Sequence, residues 1–175
     1  TGGPSAVQVG PVTGQTGNRY AFHHTDLKKL MIKMNTNNVP KNDRFVMIDD
    51  NMFEAFYDSL SDTNAKDFSR YADAENGIIG KLHGFNIMTR SSVLLATNAN
   101  ALKALGASIA ATDCLASIAW QKNTVAFAIG DTKLFQNLND ALYYGDIHSA
   151  LVMAGGRVRR TDGLGIYNII QGIPA

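Results

Sequence analysis

The 175-residue chain has one cysteine, Cys114, one tryptophan and four prolines. A lone cysteine excludes an internal disulfide framework and a multi-cysteine metal site. Charged residues make up 18%, below the roughly 25% of ordinary soluble domains. The formal net charge is +1, which argues against a dedicated nucleic-acid binder, since such proteins carry a clear basic excess. No apolar run approaches the roughly 18 residues of a membrane-spanning helix, so no membrane partner is expected. The opening, Thr1-Gly2-Gly3-Pro4, has no basic n-region and no apolar h-region, and it reads as a processed product or an excised fragment.

Hydrophobic residues reach 45% and mean hydropathy is -0.09. A chain of this size and composition can build one self-sufficient core. With so little charge, its polar surface comes from Asn, Ser, Thr and Gly. Such a surface fits contact with other subunits better than life as a free monomer.

Glycines and two prolines dominate residues 1–20, leaving a flexible arm, a linker or at most one edge strand around Val7-Gln8-Val9. Residues 21–175 form the folded part. Leu27, Leu30, Met31 and Met34 recur at helical spacing behind Thr25-Asp26, predicting an amphipathic helix that ends at the Asn-rich stretch before Pro40. Arg44–Ile48 reads as a buried strand, and Asp49-Asp50-Asn51 as the polar start of a second helix striped by Met52, Phe53, Phe56, Tyr57 and Leu60. Residues 61–76 are a polar helical or irregular stretch anchored by Phe68 and Tyr71, and Leu82–Thr89 alternates as a strand. The Ala-, Asn- and Ser-rich stretch 91–112 has room for a short helix in a long insertion. Cys114–Trp120 is strand-like, Gln121-Lys122-Asn123 turns the chain, Thr124–Ile129 continues apolar, and 134–142 is ambiguous. Ile147–Val158 and Leu164–Ile170 are predicted to pair as a hairpin across Asp162-Gly163. Helices and strands mix without a βαβ rhythm, so the class is α+β.

No constellation supports catalysis. His23, His24, His83 and His148 sit at no ligand spacing. His23-His24 reads as a polar pair before a helix, and His83 and His148 as strand residues. Asp49-Asp50 is better explained by helix capping than by metal binding. Gly77-Ile78-Ile79-Gly80-Lys81 lacks the spacing of a phosphate loop, so its glycines read as turn residues. Cys114 has no nucleophile signature around it and reads as a small buried hydrophobe. Arg157, Arg159 and Arg160 fit either a contact to nucleic acid or a neighbouring subunit, or a solvated hairpin end. No catalytic, cofactor-binding or metal-ligating residue is assigned and no cofactor is expected.

Four stretches together carry a resemblance. These are Thr25–Met34 with Asn38-Val39-Pro40 and Arg44–Ile48, then Asp49–Leu60, then Gly77–Ile87, then Ala119–Ala128. In this order and spacing, over roughly residues 20–172, the chain resembles the major capsid proteins of tailed bacteriophages, the Hong Kong 97-type fold. The resemblance implies an axial domain plus the returning strands of a peripheral domain. The family's arm, extended loop and spine helix do not fit into residues 1–20, so the chain is read as the C-terminal part of such a protein. Thr124 stands where the family usually has Ala, and 91–112 is longer than a simple connection.

The resemblance also implies a phage or prophage virion component that is not an enzyme. It would self-assemble as a homo-oligomer of hexamers and pentamers into an icosahedral shell around double-stranded DNA. Assembly would occur in the bacterial cytoplasm with a possible scaffold protein, and DNA would be touched weakly and without sequence specificity. Leu30, Met31, Phe53 and Phe56 would pack the axial core, and the polar stretches 61–76 and 137–146 would face neighbours. Two alternatives stand beside this: an encapsulin-like shell protein, and an unrelated α+β ligand-binding or enzyme domain. The last would require Arg44, Asp49 and His83 to converge on one cavity.

Overall fold

A computed structural model describes residues 8–9, 19–97, 99, 101–110, 112–140, 142, 144–160 and 162–171. The remainder of the expected N-terminal arm lies outside these residues. Of the arm's described residues, Gln8–Val9 form β1, which pairs antiparallel with β2 (Arg19–Tyr20).

Helix α1 spans His24–Thr36. It starts one residue before the Thr25-Asp26 expected from sequence, because His23 takes the N-cap and Asp26 closes a capping box onto it. Leu27, Leu30 and Met34 are buried along one face, while Lys28 and Lys29 are exposed. β3 (Arg44–Asp49) follows as expected. Asp49 then caps α2 (Asp50–Asp58), accepting from Asn51 N at 3.1 Å. The polar stretch after it folds as α3 (Asp62–Ser69). Phe68 anchors it in the core, but Tyr71 is 57% exposed and anchors nothing.

The strand expected over 82–89 is two strands. β4 (Gly80–Leu82) and β5 (Phe85–Arg90) pair antiparallel around His83-Gly84. Both turn residues have positive φ, 49° and 80°, the demand of a two-residue hairpin whose twist matches its strands. His83 is therefore a turn residue, not a strand residue. Gly80 is not a turn residue either. A Cβ there would sit 2.5 Å from the Phe68 carbonyl oxygen and 2.7 Å from two of its ring carbons. Glycine lets α3 lie directly on the sheet. Gly80→Ala is expected to cost about 2 kcal/mol by overpacking, lowering the melting temperature by roughly 5 °C for a domain of this size. An unchanged calorimetric melt would contradict this close packing.

No helix forms among the described residues of 91–112. Leu94–Ala96 is a short strand, β6, and the rest is irregular, held by Lys103 Nζ bound to Asp113 at 2.6 Å and to the Ser108 carbonyl at 2.7 Å. β7 (Cys114–Gln121) is an interior strand of the main sheet. A short 3-10 turn, Lys122–Thr124, leads into β8 (Val125–Asp140), which pairs antiparallel with β9 (Gly145–Val158). β10 (Ile166–Ile170) closes the fold.

The expected hairpin between 147–158 and 164–170 does not form. β9 pairs with β8, whereas β10 pairs with β7 from Ile166↔Trp120 to Ile170↔Ala116. Asp162-Gly163 does turn the chain, with Gly163 at φ 67°, Arg160 bridging to Asp162 at 2.7 Å and Leu164 N bound to Asp162 Oδ1 at 2.9 Å. A turn signal fixes the local bend, not the strand to which the chain returns.

The main sheet has the order β10-β7-β3-β5-β4, with β6 also paired to β7. β3 and β5 run parallel, Val46 opposite Ile87, and the crossover between them carries α2 and α3. The rest of this sheet is antiparallel. Strand alternation sends Val46, Ile48, Phe85, Ile87, Ala119, Tyr167 and Ile169 into one core with Leu27, Leu30, Met34, Met52, Phe56 and Phe68 from the helices. Met31 and Phe53 are only partly buried against it. Full burial of each large side chain contributes about 1.5–3 kcal/mol. Phe56 is the hub: its ring lies 5.3 Å from Phe22 and 6.1 Å from both Phe53 and Phe68.

Candidate functional site

The β8–β9 pair leaves the body as a bare ribbon. Sixteen residues of extended strand reach on the order of 50 Å. Its base is fixed: Thr124 Oγ1 donates to the Gln121 carbonyl at 2.6 Å, Arg159 N donates to the Thr124 carbonyl at 2.8 Å, and Gln121 N donates to the Gly165 carbonyl at 3.0 Å. Gly165 has φ 104°, and a Cβ there would stand 2.4 Å from Thr124 Cγ2. Only glycine lets the returning chain pass so close to Thr124 in this conformation.

The register separates two faces. Val125, Phe127 and Ile129 oppose Val158, Gly156 and Ala154. A bulge between Ile129 and Thr132 resets the alternation, so Thr132, Leu134 and Gln136 continue the same face opposite Val152, Ala150 and His148. That face carries no Asp, Glu, Lys or Arg at any of these paired positions. Phe127 is 69% exposed, Ile129 65% and Leu134 76%. The other face holds Phe135, Leu151 and Met153 together with Lys133 and Arg157. At the tip, Leu138, Leu142 and Tyr144 are exposed as well. A two-stranded ribbon with no covering layer is marginal in water, and an apolar face this long marks a contact surface.

A second surface lies on the main sheet. Phe45 and Trp120 stack at 5.7 Å on the face away from the helices, where Met47, Met88 and Ile118 are also half-buried.

The residues singled out for chemistry do not converge. Arg44 and Asp49 stand at opposite ends of β3, roughly 16 Å apart along the strand. Arg44 is 1% exposed. It donates from Nε to the Pro40 carbonyl at 2.8 Å and from Nη2 to the Val39 carbonyl at 2.7 Å and Asn35 Oδ1 at 2.9 Å, and it lies over the Phe85 ring. Burial holds its pKa below the usual arginine range. Asp49 is consumed by capping, and burial raises its carboxyl while its bonds from Asn51 and from the Val93 backbone work against the rise. Asp50 is exposed. His83 lies in the β4–β5 turn and lines neither of two surface hollows among the described residues. One hollow, of about 480 Å³, lies between α2 and α3 beside Tyr57, Asp58 and Lys66. The other, of about 150 Å³, lies under the 103–109 loop. Among the described residues, no group of three or more His, Cys, Asp or Glu side chains is placed to hold a metal ion. Cys114 is fully buried in β7, Arg157 and Arg159 are exposed at the ribbon base, and His148 is exposed on the ribbon's uncharged face.

No protein-family model matches the sequence and no curated protein is detectably similar to it. Solved structures are. A chain from the capsid of Ralstonia phage GP4 superposes with a TM-score of 0.61 at 10% identity, over 89% of this chain and 48% of that one. A chain of Mycobacterium phage Che8 gives 0.54 at 17% identity, over 83% and 47%. One from the capsid of Cyanophage P-SCSP1u gives 0.51 at 24% identity, over 83% and 46%. The chain thus spans about half the length of the solved chains it matches. The mixed α+β fold of the chain is therefore the fold of phage capsid structures, as the sequence resemblance implied.

Proposed function

We propose that the chain is part of a structural subunit of a phage capsid, tiling a closed shell with copies of itself. The body, with α1–α3 and the main sheet, corresponds to the axial domain, and the ribbon to returning strands of the peripheral domain. Residues 1–20 act as an arm or linker. The role is assembly, not catalysis, in a virion built around double-stranded DNA. Hexamers and pentamers, a scaffold protein and assembly in the host cytoplasm belong to the same reading.

The observation that carries this reading is the ribbon: about thirty residues of paired strand whose uncharged face has no partner within the described residues. Burying that face in an assembled layer supplies stabilisation that the body alone does not. Amide hydrogen exchange tests it. In particles purified after expression of the complete gene, amides of Val125–Ile129 and Leu151–Val158 are expected to exchange at least about tenfold more slowly than in dissociated subunits. Equal rates in both states would contradict the reading.

A further inference from the structure

His23 is an uncommon N-cap. Ser, Thr, Asp and Asn dominate that position because a side-chain oxygen accepts from the exposed N–H groups of the first turn. Here an imidazole nitrogen does so. His23 Nδ1 accepts from Thr25 N at 3.3 Å and lies 2.9 Å from Thr25 Oγ1. Asp26 reciprocates, its Oδ2 accepting from His23 N at 3.2 Å. A ring nitrogen that accepts carries no proton. Protonating Nδ1 turns the acceptor into a donor, deletes the cap and sets a positive charge at the positive end of the helix dipole.

The surroundings sharpen this. The titratable and charged groups facing His23 are His24, Asp26 and Lys29, all on α1. The His24 ring lies 4.3 Å from the His23 ring, and its Nδ1 is 3.3 Å from Ser59 Oγ at the end of α2. From the β4–β5 turn, His83 faces His24 and Lys28, and its Nε2 is buried with no hydrogen-bond partner among the described residues. Asp26 is the one carboxylate in this set, and it is shared with Lys29 at 3.3 Å. A proton added to His23 therefore meets Lys29 with Asp26 as the one opposing group, and a proton added to His83 meets Lys28.

We propose that His23 is an acid-operated release for the start of α1: once it is protonated, the first turn opens and Ala21-Phe22, the buried segment leading into it, loses its fixed path. This segment joins β2 to the body, so the device sits between the N-terminal strand pair and the folded core. The direction follows from the two shifted groups. Burial and His24 hold His23 below its ordinary value, with Asp26 opposing, and burial, His24 and Lys28 hold His83 below its own. Both groups are depressed relative to the unfolded value of about 6.5. Their contribution to stability is complete above that pH and is lost as the pH falls toward the folded values.

The test is residue-resolved amide exchange on the whole chain at about pH 7.5 and about pH 5.5, corrected for intrinsic rates, with Val46 and Ile87 as internal references. Protection at Thr25, whose N–H the cap receives, is expected to fall about fivefold on acidification, the size of one lost cap contact, while the references hold. His23→Asn substitutes a favoured cap that does not titrate, so it should fold at least as well and keep the change at Thr25 under about twofold. A fall in His23→Asn equal to that of the parent would overturn the proposal, as would a parent with no fall at all.

Discussion

Replacing Phe127 and Ile129 together by lysine is expected to abolish particle formation while the body stays folded. Both side chains are largely bare on the subunit, at 69% and 65% exposure, so the folded subunit loses little: surface changes of this kind usually shift stability by within about 0.5 kcal/mol. Assembly is another matter. If protein covers this face, two ammonium groups must leave water without acidic partners, at several kcal/mol each. In a shell of identical subunits, the cost would recur in every copy. Electron micrographs should show a particle yield below about a tenth of the parent's, while the thermal melt of the body is unchanged. Shells of normal yield from the double variant would mean that the Val125–Ile129 face plays no part in assembly. The same substitutions at Ala126 and Ala128, on the face that already bears Lys133 and Arg157, should be milder, because that face keeps its charges accessible.

Arg44→Ala is expected to have the largest effect on the subunit itself. The guanidinium is buried at the end of α1 and satisfied by two backbone carbonyls and one amide oxygen, not by a carboxylate. Truncation leaves those three acceptors unpaired and opens a cavity over Phe85. Removing one side of such a buried charged arrangement costs about 3–5 kcal/mol, or on the order of 10 °C in melting temperature for a domain of this length. Arg44→Lys should recover only part of that, since a single ammonium does not reproduce the planar fork that spans the Pro40, Val39 and Asn35 oxygens. A calorimetric melt of Arg44→Ala within a few degrees of the parent, on the scale of roughly 1 kcal/mol, would contradict the role assigned to this side chain.

The plainest signals in the sequence are local and periodic. The helical spacing from Leu27 to Met34, the apolar run from Arg44 to Ile48 and the stripe from Met52 to Phe56 each face one core, so their patterns survive in the structure. The Asp49 cap is legible because carboxylates cap by a general rule. The His23 cap is not, because histidine is rare there and Thr25-Asp26 offers a more familiar start. Phe68 and Tyr71 look alike as anchors, yet only Phe68 meets Gly80 and the Phe56 ring.

Strand partners are the larger loss. Ile147–Val158 and Leu164–Ile170 flank a sound turn signal, but β9 pairs backwards with β8 and β10 crosses to β7. Pairing at that distance depends on the whole sheet, not on the turn. The ribbon is equally hard to see. Gly130 and Asp131 fall in the bulge between Ile129 and Thr132, breaking the alternation that would otherwise join 125–129 to 134–140 as one strand. In the sequence, Thr124–Ile129 shows only as an apolar run and 134–142 as an ambiguous one, so nothing marks the exposed apolar face between Val125 and Leu134 as a surface. The available clue is the low charge of the chain, which fits contact with other subunits without pointing to one surface.

Image reconstruction of particles made from the complete gene addresses the assembly role most directly. Closed icosahedral shells, with density covering Phe127, Ile129 and Leu134 on the ribbon, are the expected result. Only monomers or small closed dimers, or shells in which that face remains open to solvent, would contradict it.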